Sequence, residues 1–300
     1  MQLYDTAKVF VDTIANVATL NLNISPDTLW VSAQELITSS KYEDWIRNLS
    51  KSEIIKDNVI GSSATGKSIN EVIIGDPINS NYIFIIGRNH PPEVTGFFAL
   101  KSFVETIAGE SEIAEKFRSH FTTVVVPLMN PDGVDYGHWR HNAHGIDLNR
   151  DWVNFNQPEP RAVRNEVGKL ISSGKKIDFF IDFHSTQHDV FYTLSLKSLM
   201  DENLPEERNN KRKSGYNLIS KWLANVQSVL PDYHVNIYDS LSSPTSSTSD
   251  RWIMREYDVP GLTYEVGDET DRDLIKKVAE ASANELMKIL LKETNNDLKK

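Results

Sequence analysis

Two rhythms of hydrophobic positions alternate along the chain. Continuous apolar runs occur in "NEVIIGD" (70–76), "NYIFIIG" (81–87), "FTTVVVPLM" (121–129), "KIDFFIDFHS" (176–185) and "VPGLTYEVGD" (259–268). Runs of this length and β-branched content read as strands buried on both faces. "YHVNIY" (233–238) reads as a further, shorter strand. Between them the spacing becomes helical. Residues 94–109 place Val94, Phe97, Leu100, Phe103, Val104 and Ile107 on one face, with Gly109 ending the helix. "SSKYEDWIRNLS" (39–50) offers a serine cap and an apolar stripe of Tyr42, Trp45, Ile46 and Leu49. Three more helices are expected in 159–174, closed by Gly174, in 215–230 and in 271–293.

Buried strands alternating with helices predict an α/β fold: three layers, α/β/α, around a mixed, mostly parallel twisted sheet. In such sheets functional groups gather at the carboxyl ends of strands. His90, Asn130, His184 and Glu265 all sit there.

Composition narrows the function classes. The longest apolar runs fall far short of the roughly 18–20 residues a membrane span needs, so no membrane partner is expected. A net charge of −10 argues against a nucleic-acid partner, which would want a basic face. It says little about a small substrate. The chain has no cysteine, which removes disulfides, thiolate catalysis and cysteine metal sites. Oligomeric state is not legible.

The first residues show neither a basic leader region nor a continuous apolar one, so no signal peptide is read there. As given, the chain reads as cytoplasmic. A lost leader would make it periplasmic or secreted. "AKVFVDTIANVATLNLNIS" (7–25) reads as two short strands without a partner nearby in sequence. Residues 1–30 are therefore expected to be a β-rich remnant, and 31–300 the main domain, which carries the candidate chemistry.

The candidate chemistry begins in "GRNHPPEVTG" (87–96). Proline pushes the residue before it into extended backbone, and each proline fixes its own φ. Pro91 and Pro92 thus hold His90 at a strand end and Glu93 at a helix start. Both can address one ion without ordering a loose loop. Taken alone, His-x-x-Glu reads first as a surface turn, and His184 after its strand is equally a core histidine. The stretch 130–152, "NPDGVDYGHWRHNAHGIDLNRDW", adds Arg140 beside Trp139, Asp147, and the Asn149-Arg150 pair. Arginine forks bind carboxylates bidentately. Two of them near a candidate metal suggest an anionic substrate end and a developing oxyanion. A solvated loop with structural ion pairs is the plainer alternative.

Taken in order, His90-x-x-Glu93, "NPDG", Trp139-Arg140, "DLNRDW", the "FHS" around His184 and the "TYEVGDET" around Glu265 resemble the M14 family of zinc metallocarboxypeptidases, the carboxypeptidase A clan. The resemblance covers residues 55–290. The "HPPE" and "GIDLNRDW" forms are similar to the bacterial branch akin to cytosolic carboxypeptidases. It implies a carboxypeptidase-like fold and one Zn2+ per chain, bound by His90, Glu93 and His184. It makes Glu265 the general base and Arg140 the stabiliser of the oxyanion. Asn149 and Arg150 would hold the terminal carboxylate of a peptide or protein substrate, and Asp147 would orient His90. It also makes the β-rich remnant the tail of a truncated β-sandwich domain.

Two departures stand out. The mobile tyrosine that the family carries upstream of its general base is missing from "DSLSSPTSSTSDRW" (239–252), with Tyr238 the nearest substitute. The specificity-pocket position falls near Ser249 to Arg251. Arg251 or Arg255 there favours acidic C-terminal residues, chiefly glutamate, whereas Asp250 favours basic ones. Competing functions are an N-acyl amino acid deacylase resembling aspartoacylase or succinylglutamate desuccinylase, and a non-catalytic binding module.

Overall fold

A computed structural model describes residues 9–22, 26–27, 31–241 and 246–297, with side chains up to residue 294. The chain separates into two units, Met1–Leu36 and Ile37–Lys300. In the first, the two strands expected there form, and contrary to the expectation that they lack a nearby partner, β1 (Val9–Asp12) pairs antiparallel with β2 (Val17–Leu20). Asp12 caps the turn by accepting from the backbone N–H of Ile14 and Ala15.

The second unit is built on one eight-stranded sheet. Its edge hairpin is β3 (Ile55–Ser62) and β4 (Ser68–Ile74). Next come β6 (Phe121–Val126), β5 (Asn81–Gly87), β7 (Lys176–Thr186) and β10 (Gly261–Gly267). Then follow β8 (Val190–Leu194) and β9 (Ile237–Ser240) at the far edge. The central strands β6, β5, β7 and β10 are mutually parallel. The β3–β4, β4–β6 and β10–β8 pairs are antiparallel, so the sheet is mixed.

Strand alternation creates two cores, one on each face. Ile83 and Ile85 of β5 join α2 (Val94–Ala108), α3 (Glu112–Arg118), α7 (Glu206–Val229) and α9 (Arg272–Asp297) in one. Tyr82, Phe84 and Ile86 of the same strand join α5 (Pro158–Ser172) and α8 (Ser249–Tyr257) in the other. Burial of these side chains at roughly 25 cal/mol per Å² supplies the main drive for the layered fold. No helix among the described residues is long and apolar enough to cross a membrane.

Several local expectations need correction. Helix α1 (Ser39–Leu49) is preceded by Thr38 rather than a serine, and no side-chain cap forms there. The last strand before the 239–252 stretch is Ile237–Ser240, not 233–238. Asn130 is wholly buried and its side chain is engaged with the backbone. It caps α4 (Pro131–Tyr136) by accepting from Gly133 N–H, and it donates to the Asn89 carbonyl.

Candidate metal centre and active site

The site lies at the carboxyl ends of β5, β7 and β10, on the face covered by α5 and α8. Strand β5 ends at Gly87, and Arg88 takes a left-handed turn at φ 56°. A non-glycine residue there is strained. Its side chain folds back under the turn, and Nε donates to the Pro91 carbonyl at 2.9 Å while Nη1 donates to the Tyr42 hydroxyl at 3.0 Å. This brace sets His90 at the strand end and Glu93 at the residue before α2. Two residues into α2, Gly96 meets β7 backbone to backbone. A Cβ there would come 2.5 Å from the His184 carbonyl oxygen, so only glycine permits the approach.

The geometry gathers His90, Glu93 and His184. One ligand atom from each lies within 4.8 Å of the others. His90 Nδ1 stands 2.6 Å from Glu93 Oε1, and His184 Nδ1 stands 2.7 Å from Glu93 Oε2. Ligand atoms around a tetrahedral zinc sit roughly 3.3–3.6 Å apart, given bonds of about 2.0–2.2 Å. The trio brackets that spacing, and two imidazoles with one carboxylate form a fitting donor set. Burial pushes the Glu93 carboxyl up, but His184 and then His90 outweigh it and hold the group down at about 2. Burial lowers His184, yet Asp182 and Glu93 raise it well above the usual histidine range.

Asp147 ties the next segment to the ligands. Its Oδ1 accepts from His90 Nε2 at 3.0 Å and from the Asn149 backbone N–H at 2.9 Å. Its Oδ2 accepts from Arg140 Nε at 2.7 Å. Burial works against the charge, but His90 and Arg140 hold the carboxyl far below the usual range. Neither Nη group of Arg140 has a protein partner among the described residues. Trp139 beside it is 82% exposed.

Residues 148–150 form a single 3-10 turn that presents Asn149 and Arg150. Asn149 Oδ1 accepts from Ser249 N–H at 3.2 Å, which fixes the amide orientation. Its Nδ2 then faces His184 Nε2 at 3.3 Å. Arg150 donates to the Asn149 carbonyl at 2.8 Å and is otherwise exposed.

Glu265 lies directly across the β7–β10 ladder from His184. Its Oε2 is buried without a hydrogen-bond partner. Burial raises its carboxyl, His184 opposes the shift, Glu93 adds to it, and the result is about 7. That is the range in which a carboxyl serves best as a general base.

Sequence reasoning missed Asp182, Asn89 and Tyr192, and it named Ser249 only as lying near the specificity-pocket position. Asp182 could have been found, because a carboxylate inside the apolar run "FFIDF" must be partnered. Tyr192 is two residues beyond the Val190–Glu265 pair, and its ring centre is 5.4 Å from that of Tyr238. Tyr238 itself is 58% exposed on β9. Part of the loop that follows, residues 242–245, lies outside the described residues.

Arg251 donates to the hydroxyls of Ser240, Ser246 and Thr248 and has no carboxylate in ion-pair reach among the described residues. Arg255 donates to the Ser246 carbonyl and approaches Glu256 at 3.6 Å. Asp250 is buried and accepts from Thr248.

A His–Glu–His donor set at the strand ends of a mixed sheet defines an α/β metalloprotein with a mononuclear site. The chain matches the zinc carboxypeptidase model of the peptidase M14 family over residues 42–285, and it belongs to that family. Mouse cytosolic carboxypeptidase 6 is 27% identical over 160 residues, covering 49% of this chain and 30% of that protein. Cytosolic carboxypeptidase 1 of Xenopus laevis is 34% identical over 125 residues, covering 40% and 10%. The matched segment thus spans well under two thirds of those relatives. The crystal structure of a metallo-carboxypeptidase from Burkholderia cenocepacia superposes with a TM-score of 0.69 at 19% identity, covering 86% of this chain and 70% of that one. This likeness bears on the fold, which is carboxypeptidase-like.

Proposed function

We propose that the protein is a zinc-dependent carboxypeptidase that hydrolyses the C-terminal peptide bond of a peptide or protein and prefers acidic terminal residues. The observation that carries the reading is Glu265. Its carboxyl, with Oε2 buried and unpartnered, stands across one ladder rung from His184 of the His90–Glu93–His184 set. Zinc held by that set would polarise the scissile carbonyl and lower the pKa of water toward about 7.

The protein groups divide the remaining work. Glu265 takes the proton of the attacking water and passes it to the leaving amine. Arg140, with Nε fixed by Asp147, turns its free Nη groups toward the developing oxyanion. Asn149 Nδ2 and the Arg150 guanidinium receive the substrate's terminal carboxylate. Arg251, whose side-chain hydrogen bonds among the described residues go to hydroxyls, offers a positive charge to an acidic side chain. Relatives named cytosolic carboxypeptidases support a peptide C-terminus as the substrate.

The test compares peptides with free and amidated C-termini, with and without chelator. Free termini should be cleaved in the zinc-loaded protein alone, and amidated ones poorly. Equal cleavage of both would refute the exopeptidase reading. Hydrolysis of N-acyl amino acids in place of peptides would assign the site to a deacylase.

A further inference from the structure

His184 approaches Glu93 through Nδ1 at 2.7 Å. Binding an ion through that nitrogen leaves the ring proton on Nε2, and this N–H then needs an acceptor. Asn149 Nδ2, 3.3 Å away, is itself a donor and cannot serve. Asp182 Oδ2 lies 3.0 Å away and can.

Asp182 is wholly buried, and its other contacts are specific. Asn89 Nδ2 lies 3.1 Å from each of its oxygens, and the Ser249 hydroxyl donates to Oδ2. These partners come from three places. Asn89 immediately precedes His90 in the turn after β5, Asp182 and His184 share one face of β7, and Ser249 opens α8. Arg251, two residues further, belongs to the same helix.

We propose that Asp182 is a positioning residue. It orients His184 for the metal, holds the turn that carries His90, and through Ser249 clamps the start of α8 to both. The metal ligands and the wall bearing Asp250 and Arg251 are thereby built as one unit. The proposal rests on the zinc reading of His184. Metal ligands need such outer partners, and losing one costs about 10–100-fold in metal affinity.

The experiment measures the zinc dissociation constant by chelator competition, together with the thermal midpoint of the zinc-free protein. Asp182→Asn keeps the shape but puts a donor where an acceptor is needed. It should weaken zinc about 10–100-fold. Ser249→Ala removes the tie to α8 alone. It should weaken zinc only a few-fold and raise KM for a C-terminal peptide more than it lowers kcat. If Asp182→Asn does not fold, Ser249→Ala carries the test. Zinc affinity within about twofold of wild type in the folded variants overturns the proposal, even where the thermal midpoint falls. So does loss of zinc affinity in Ser249→Ala with KM unchanged. Zinc affinity is read without turnover, so an inactive wild type would count against the carboxypeptidase reading and not against this one.

Discussion

Glu265 and Glu71 make an instructive pair. Each is a glutamate on a sheet strand with a buried, unpartnered Oε2, and each carboxyl is raised to about 7. Their surroundings differ. Glu265 looks onto two histidines and a carboxylate gathered for a metal. Glu71 sits on β4 beneath α5. Burial is the main cause of its shift, the Glu166 charge adds, and the Asn58 amide and Lys169 oppose. Lys169 pairs with Glu166 rather than with Glu71. A perturbed carboxyl therefore marks burial first. Only the groups arranged around it turn burial into chemistry.

The sharpest way to break the comparison is to neutralise both. Glu265→Gln should keep zinc and lose about 10³–10⁴ in kcat, the scale of general base catalysis. Glu71→Gln should leave turnover within about twofold. Comparable losses in the two variants would show that burial, not placement, matters. Loss of zinc in Glu265→Gln would make Glu265 a ligand.

Removing the proposed oxyanion donor comes next. Arg140→Ala should lower kcat by about 10²–10³ with the zinc constant near wild type. Arg150→Ala should raise KM by roughly tenfold or more for free C-termini, the value of one charge-assisted contact, and leave amidated peptides unaffected.

Glu71 provides a smaller effect with a defined sign. Its folded pKa of about 7 exceeds the ordinary 4.5, so the native state binds more protons than the unfolded chain between those values. Stability then falls as pH rises from about 4.5 through 7. Glu71→Gln cannot ionise and so carries no charge to be repelled by Glu166. It should be more stable than wild type by order of 2 kcal/mol at pH 8, and the advantage should vanish near pH 4. Urea titrations at both pH values read this directly, and an advantage that grew at low pH would reverse the argument.

The smallest effect concerns specificity. Arg251→Ala should reduce the preference for C-terminal glutamate over lysine by a few-fold, the scale of a partly exposed charge. Faster release of lysine by the wild type would point to Asp250 instead.

The positions of His90, Glu93, His184 and Glu265 were legible in chain-local facts, two prolines, three apolar runs and a helix start, whereas the roles expected of them came only from the family resemblance. The same legibility holds for β5, β6, β7 and β10, which announce themselves as apolar blocks. What escaped depends on distant contacts. Strand β3 buries only Ile55 fully and forms by pairing with β4, so it carries no alternation to read. Helix α7 begins at Glu206, through the polar stretch "EERNNKRKS", because Arg208 and Arg212 reach Asp258 across the fold. Arg88 escaped too, since its brace on Pro91 exists only once the turn has closed.

Gly96 against the His184 carbonyl also bears on the order in which the molecule assembles. The contact can form only after the β5–α2 crossover has returned to lie on β7, a parallel pairing between distant parts of the chain. Such pairings are slow, because long loops must close before any contact rewards them. High-affinity zinc capture should therefore appear late in refolding, as one kinetic phase with burial of Phe183 and its neighbours. Turnover should lag until β10 adds Glu265 to the growing sheet. A zinc-sensitive dye and a peptide assay followed from the same refolding jump would resolve the two events in time.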